Sequence, residues 1–293
     1  MSAIHGGLVR LREILEGLNP SEKKVAEYVL AHPGRMIELS VAQLAEASGA
    51  SQAAIIRLCK SMGVKGYQDF KLKVAGDLRE TGGVQGYQEI RPQDSIATIV
   101  QHVSNNNIQS IHDTVKILDL EQVSKAVQAL HQAKRIYFFG IGASNLIGQD
   151  AQQKFLRINR TCFCFADPHV QLASAVTLTE EDVAVGISYS GETKEVIAAL
   201  KAARENGAVT IGITKYGSTT LTQYTDIPLC ISSTENEIRS GAMSSRITQL
   251  NVIDILYLGV ASNNYEQSAM YLDRSRQAIR ELENGMAKFN HKS

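Results

Sequence analysis

The chain has 293 residues, 44% of them hydrophobic, enough to bury a substantial core and, at ordinary domain size, to make about two domains. Its 30 Lys and Arg balance 30 Asp and Glu, so overall charge neither demands nor excludes a polyanionic partner. Apolar runs fall far short of the roughly 20 residues of a membrane span, and residues 1–7 lack a secretory pattern, so a soluble, cytoplasmic protein with no membrane partner is expected.

Helical periodicity dominates residues 1–80, with helices expected at 5–18, 20–32, 41–48, 52–62 and 67–80. Ser40 and Gln43 fit a capping box that opens the third of these, and Gly49 suits the sharp turn that ends it. Ser51 can cap the next. A short helix, a glycine turn and a slightly longer helix have the proportions of a helix-turn-helix. In the fourth helix, Ile55, Leu58, Cys59 and Met62 recur at helical spacing and face the core. Ser51, Gln52, Ala53, Arg57 and Lys60 are left for the side that enters a DNA groove, with Lys65 just beyond. Gln52 or Arg57 suit base edges, Lys60 and Lys65 suit phosphates. Between residues 51 and 75, Arg57, Lys60, Lys65, Lys71 and Lys73 stand against Asp69 alone, an excess of four positive charges. That cluster reads either as a phosphate footprint or as a solvated surface, and the helical spacing favours the footprint.

Glycines and a proline interrupt residues 81–93, which read as a linker. Two amphipathic helices, 94–118 and 119–133, follow it and could pack on the second domain or across a dimer. From Arg135 onward, short β-branched runs alternate with helices: strands at 161–165, 182–188, 209–214 and 226–231 follow the one that begins at Arg135, with helices at 145–157, 169–176 and 193–206 between them. Such alternation predicts a mainly parallel sheet flanked by helices, an α/β domain behind an all-α one.

The first of these strands runs into Gly140-Ile-Gly-Ala-Ser144, where a dinucleotide fingerprint would need a third glycine and this chain has Asn145. The sharper signal is Ser188-Tyr-Ser-Gly-Glu-Thr193 at a strand-to-helix junction. Free N–H groups of a first helical turn attract an anion there, three hydroxyls can add hydrogen bonds, and Gly191 lets the backbone approach. The plainer alternative is that Ser190 simply caps the helix. Cys59, Cys162, Cys164 and Cys230 have no metal or redox spacing and are expected to be buried thiols, with no metal and no cofactor.

These residues resemble the RpiR family of bacterial regulators, an N-terminal helix-turn-helix followed by a sugar isomerase (SIS) domain. The resemblance covers nearly the whole chain and rests on residues 51–71, on Phe139-Gly-Ile-Gly-Ala-Ser144 and on Ser188-Tyr-Ser-Gly-Glu-Thr193. It implies a helix-turn-helix domain over 1–80, a linker over 81–93 and a SIS domain with leading helices over 94–293. It further implies that Ser144, Ser188, Ser190, Gly191 and Thr193 hold the phosphate of a phosphosugar, with His169, Glu235 and Arg246 near the sugar. Arg239 competes with Arg246 for that last role. Residues 233–250 look most like regulators of N-acetylmuramic acid 6-phosphate catabolism. N-acetylmannosamine 6-phosphate, glucosamine 6-phosphate and glucose 6-phosphate share the same phosphate end. The expected function is a repressor-type regulator of carbohydrate metabolism, a homodimer or tetramer on a palindromic operator, and not an enzyme. The rival implied by the fold is a sugar-phosphate isomerase or etherase with Glu235 as base.

Overall fold

A computed structural model of the protein describes residues 5–80, 88, 90–233 and 243–290. The N-terminal region is helical: α1 (Gly7–Ile14), α2 (Pro20–Ala31), α3 (Pro33–Met36), α4 (Val41–Ser48), α5 (Gln52–Ser61) and α6 (Tyr67–Glu80). They enclose one core in which Leu11, Val25, Met36, Leu44, Ile55, Leu58, Met62 and Phe70 are wholly buried. The expected helices are all present, and α3 is an addition that periodicity could not resolve. It is a single turn opened by Pro33, which fixes φ for a first helical position but leaves too little length for a pattern.

Helices α7 (Ile96–Ile117) and α8 (Leu120–Gln132) lead into β1 (Arg135–Gly140), α9 (Ala143–Leu156), β2 (Cys162–Cys164), α10 (Pro168–Ala175), β3 (Asp182–Ile187), α11 (Lys194–Glu205), β4 (Val209–Lys215), β5 (Ile227–Ile231), α12 (Met243–Asn263) and α13 (Tyr265–Asn290). All four strand pairings are parallel, in the order β2-β1-β3-β4-β5. The inner strands β1, β3 and β4 are buried on both faces, so alternate residues feed two cores. Phe138, Val185, Ile211 and Leu229 pack against α8, α9 and α12 on one side. Tyr137, Phe139 and Ala184 pack against α10 and α11 on the other.

The order of the strands decides where a ligand fits. From β1 the chain moves outward to β2, then returns across β1 to place β3 on its other side, so the connections after β1 and β3 diverge to opposite faces. In open α/β sheets a ligand crevice lies at such a switch point, which here falls beyond the carboxyl ends of β1 and β3. Gly140 ends β1 directly opposite Ile187 at the end of β3, which brings the two candidate loops side by side. Among the described residues no helix is long and apolar enough to cross a membrane.

Candidate anion site and nucleic-acid interface

Ser188 leaves β3 almost fully buried, with its Oγ 2.8 Å from Thr193 Oγ1. The amide of Gly191 donates to the same Oγ at 3.2 Å, and the amide of Glu192 donates to Ser190 Oγ at 3.2 Å. Ser190 therefore braces the loop, and the alternative in which it caps the helix is overturned. The N-cap of α11 is Thr193, whose side chain makes no capping bond. The N-cap of α9 is Gly142, at φ 59°, which has no side chain to cap with. Two long helices thus begin at the switch point with no side-chain cap, and their partial positive ends face an incoming anion, although in α9 the Ser144 and Asn145 amides already donate to Ile141 O and Gly142 O at 3.2 and 3.0 Å. Ser144, half-buried, is the second residue of α9.

By contrast α10 is closed. Asp167 Oδ1 accepts from the amides of His169 and Val170 at 2.8 and 3.0 Å, so this third N-terminus already has its negative partner. His169 lies exposed in its first turn. Arg246 is half-buried in the first turn of α12, a helix tied to α9 by the Lys154–Asp254 ion pair and by packing of Phe155 on Tyr257. Glu235 and Arg239 lie outside the described residues.

The loop's shape is set from the segment after β4, a partner that the sequence reading missed. Gly191 sits at φ 69°, and a Cβ there would overlap Thr219 Cβ and Oγ1 and lie 2.7 Å from Thr214 Oγ1. The Glu192 carboxylate accepts from the amide and hydroxyl of Thr220 at 2.9 and 2.6 Å, bonds that hold its pKa below the usual glutamate value. Leu221 N donates to Gly191 O at 2.9 Å. Thr219 Oγ1 is buried without a hydrogen-bond partner, a cost accepted where the side chain wedges under the loop. The available signal was Ser218-Thr-Thr220, a second hydroxyl cluster at a strand end.

At the N-terminal region, α4 opens on the expected capping box, Ser40 with Gln43, and ends on Gly49 at φ 63°. Ser51 caps α5 by accepting from Ala54 N at 3.2 Å. Ala54, Ile55, Leu58 and Cys59 are buried, whereas Ser51, Gln52, Ala53, Arg57, Lys60 and, beyond the helix, Lys65 are exposed. Ile56, an apolar residue, is 54% exposed on the same outward side.

The basic footprint is smaller than expected. Lys71 turns inward and donates to Leu39 O at 3.0 Å, and Lys73 is 3% exposed, 3.9 Å from Asp69, with burial holding its pKa below the usual lysine value. Arg57, Lys60 and Lys65 are the exposed members. Even Arg57 is partly engaged: its guanidinium lies 3.5 Å from the buried Glu22 carboxylate and 3.2 Å from Ser21 Oγ. Burial pushes the thiols up, Cys59, Cys164 and Cys230 to about 11 and Cys162 to about 12, so they stay protonated near neutrality.

A helix-turn-helix joined to a parallel α/β domain with an open switch point is the build of a two-part regulator. Residues 5–81 match the model of the helix-turn-helix domain of the rpiR family, and residues 129–259 match that of the SIS domain. A transcriptional regulator of Caldanaerobacter subterraneus is 44% identical over 93% of this chain and 96% of its own length. The regulator YbbH of Bacillus subtilis is 40% identical over 94% and 98%. The structure of Vibrio vulnificus NanR, complexed with ManNAc-6P, superposes with a TM-score of 0.60 at 27% identity over 94% of this chain and 98% of that one. The chain belongs to the RpiR family of helix-turn-helix transcriptional regulators that carry a SIS domain.

Proposed function

We propose that the protein is a repressor of carbohydrate catabolism, and that its operator binding is modulated by a sugar 6-phosphate held at the switch point. The observation that carries this reading is the pair of helix N-termini without side-chain caps, α9 and α11, beside a hydroxyl-lined loop in a DNA-binding family. In this reading Ser144, Ser188, Ser190, Gly191 and Thr193 take the phosphate, and His169, Glu235 and Arg246 face the sugar. Ser51, Gln52, Ala53, Arg57, Lys60 and Lys65 meet DNA, with Ile56 added as an apolar contact.

The division is 1–80 for the reader, 81–93 for the linker and 94–293 for the sensor. A cytoplasmic homodimer, or a tetramer made of two such dimers, presents paired α5 helices to a palindromic operator. Ligand shifts the balance only through different affinity for the DNA-competent and incompetent arrangements. Within the phosphosugars, the sequence likeness over residues 233–250 favours N-acetylmuramic acid 6-phosphate, while the NanR relative supports N-acetylmannosamine 6-phosphate as its nearest competitor. The SIS domain acts as a sensor here and not as a catalyst, in keeping with the curated regulators it resembles.

A thermal-shift screen of both compounds with glucosamine 6-phosphate and glucose 6-phosphate tests the ligand class, because binding to the folded state raises the melting temperature. One of them raises it and the others do so less. No rise with any of them contradicts the reading, and turnover of a phosphosugar by the purified protein contradicts its non-enzymic part.

A further inference from the structure

The hydroxyl of Tyr216 donates to the main-chain carbonyl of Met62 at 2.7 Å, across 154 residues of sequence. Met62 is the C-cap of α5, followed by Gly63 at φ 61°, with Val64 N returning to Cys59 O at 3.0 Å. Carbonyls at a helix C-terminus lack partners within the helix. The one at the end of this outward-facing helix finds its partner in the α/β half. The fit is close: a Cβ on Gly63 would stand 3.2 Å from the phenol oxygen, and the Arg10 guanidinium lies 5.1 Å over the ring. Burial pushes the phenol pKa up, which keeps it a proton donor.

Tyr216 also sits within the segment that grips the anion loop. On one side of it, Lys215 N donates to Tyr189 O at 2.9 Å and Thr214 Oγ1 to the same oxygen at 3.3 Å. On the other, Thr220 holds the Glu192 carboxylate and Leu221 N holds Gly191 O. Residues 189–192 cannot change their arrangement without moving one or more of these partners. The chain between the two groups of bonds passes through Tyr216.

We propose that Tyr216 is the positioning residue that conveys occupancy of the anion site to the recognition helix. A phosphate entering the loop competes for the Ser188 and Thr193 hydroxyls, which bond to each other, with Ser188 also accepting from the amide of Gly191, and for the Ser190 hydroxyl, which accepts from the amide of Glu192. The rearranged loop shifts residues 214–221, and the Tyr216 hydroxyl resets the C-terminal end of α5. This rests on the phosphosugar reading given above and adds its route.

The test uses the full chain and a duplex selected by the wild-type protein from random sequence. Three quantities are compared in Tyr216→Phe: melting shift with the sugar phosphate found in the screen, duplex affinity without it, and the ratio of duplex affinities without and with it. The ring and its contact with Arg10 survive the substitution. The first two quantities stay near wild type. The ratio, within the ~5–150-fold range usual for coupled sites in the wild type, falls to within about threefold of one. Thr220→Val weakens the route at its other end by removing the hydroxyl bond to Glu192 while the Thr220 and Leu221 amides still hold the loop, leaves α5 untouched, and lowers the ratio in the same direction but less, so the idea stays testable if Tyr216→Phe folds poorly. A wild-type ratio in either well-folded variant overturns the route. A wild-type protein that melts higher with the ligand yet shows a ratio of one overturns the effector reading itself.

Discussion

Gly191→Ala is the most direct probe of how the anion loop is built. At φ 69° an alanine enters the left-handed region, which costs roughly 1–2 kcal/mol for an L-residue. Its Cβ would also overlap Thr219 Cβ and Oγ1, and forced overlap in a packed site costs about 1–3 kcal/mol. The sum is about 2–5 kcal/mol, and at roughly 2–4 °C per kcal/mol for a domain of this size the melting temperature of the sensor half falls by about 4–20 °C. The overlap share can be isolated. In a Thr219→Gly background the overlap with Thr219 is gone, and Gly191→Ala then costs the backbone share, about 1–2 kcal/mol, plus what is left of the close approach to Thr214 Oγ1. Calorimetry of the four proteins measures both shares, and phosphosugar titration of each reports the loop's function. Equal costs in the two backgrounds, or a Gly191→Ala protein that melts and binds as wild type does, would refute the reasoning.

On the DNA side, Arg57→Ala removes the partner of a buried carboxylate as well as a base-reading group. It lowers thermal stability together with duplex affinity, whereas Lys60→Ala weakens duplex binding and flattens its salt dependence at unchanged stability; equal melting temperatures for the two variants would contradict the Glu22 contact. Ile56, exposed beside Ala53 and Lys60, predicts contact with a thymine methyl. Replacing thymine by uracil across the selected duplex weakens wild-type binding several-fold at one position but leaves Ile56→Ala indifferent there, and uniform indifference of the wild type removes Ile56 from the reader.

The Glu13 carboxylate accepts from Ser232 Oγ at 2.6 Å and Ser233 N at 3.3 Å where α1 meets the end of β5, and burial raises its pKa. The folded chain therefore binds this proton more tightly than the unfolded one. The resulting stabilisation is fully present below the ordinary glutamate pKa and is lost as pH rises through the raised value. Glu13→Gln removes that part of the pH dependence, and an unchanged melting profile from weakly acid to neutral pH would count against it. Asp113, also raised by burial and 3.4 Å from Arg12, contributes in the same sense and remains in the variant.

Much of the fold could be read from the chain because its signals are local. The capping box at Ser40, the glycine turn at Gly49 and the strands buried on both faces each follow from a few neighbouring residues. The loop of Ser188, Ser190 and Thr193 was legible for the same reason. What lay hidden was tertiary. No local pattern distinguishes Lys71 and Lys73, which turn inward, from Lys60 and Lys65, which face out, because an alkyl stem lets a lysine follow either course. Nor does spacing show that Thr219 and Thr220 close the loop at Gly191 and Glu192 from about 28 positions away. The tie between Tyr216 and Met62 depends on how the two halves meet, which neither half's periodicity encodes.

The central claim is that a sugar phosphate at the switch point controls DNA binding, and one titration tests it most directly. The full chain is held on its selected duplex at fixed salt, and the sugar phosphate that raises its melting temperature is added. The account predicts release of the duplex with half-saturation at the concentration that half-saturates the melting shift, and loss of both responses in Ser188→Ala. A duplex that stays bound while the melting temperature climbs would contradict it.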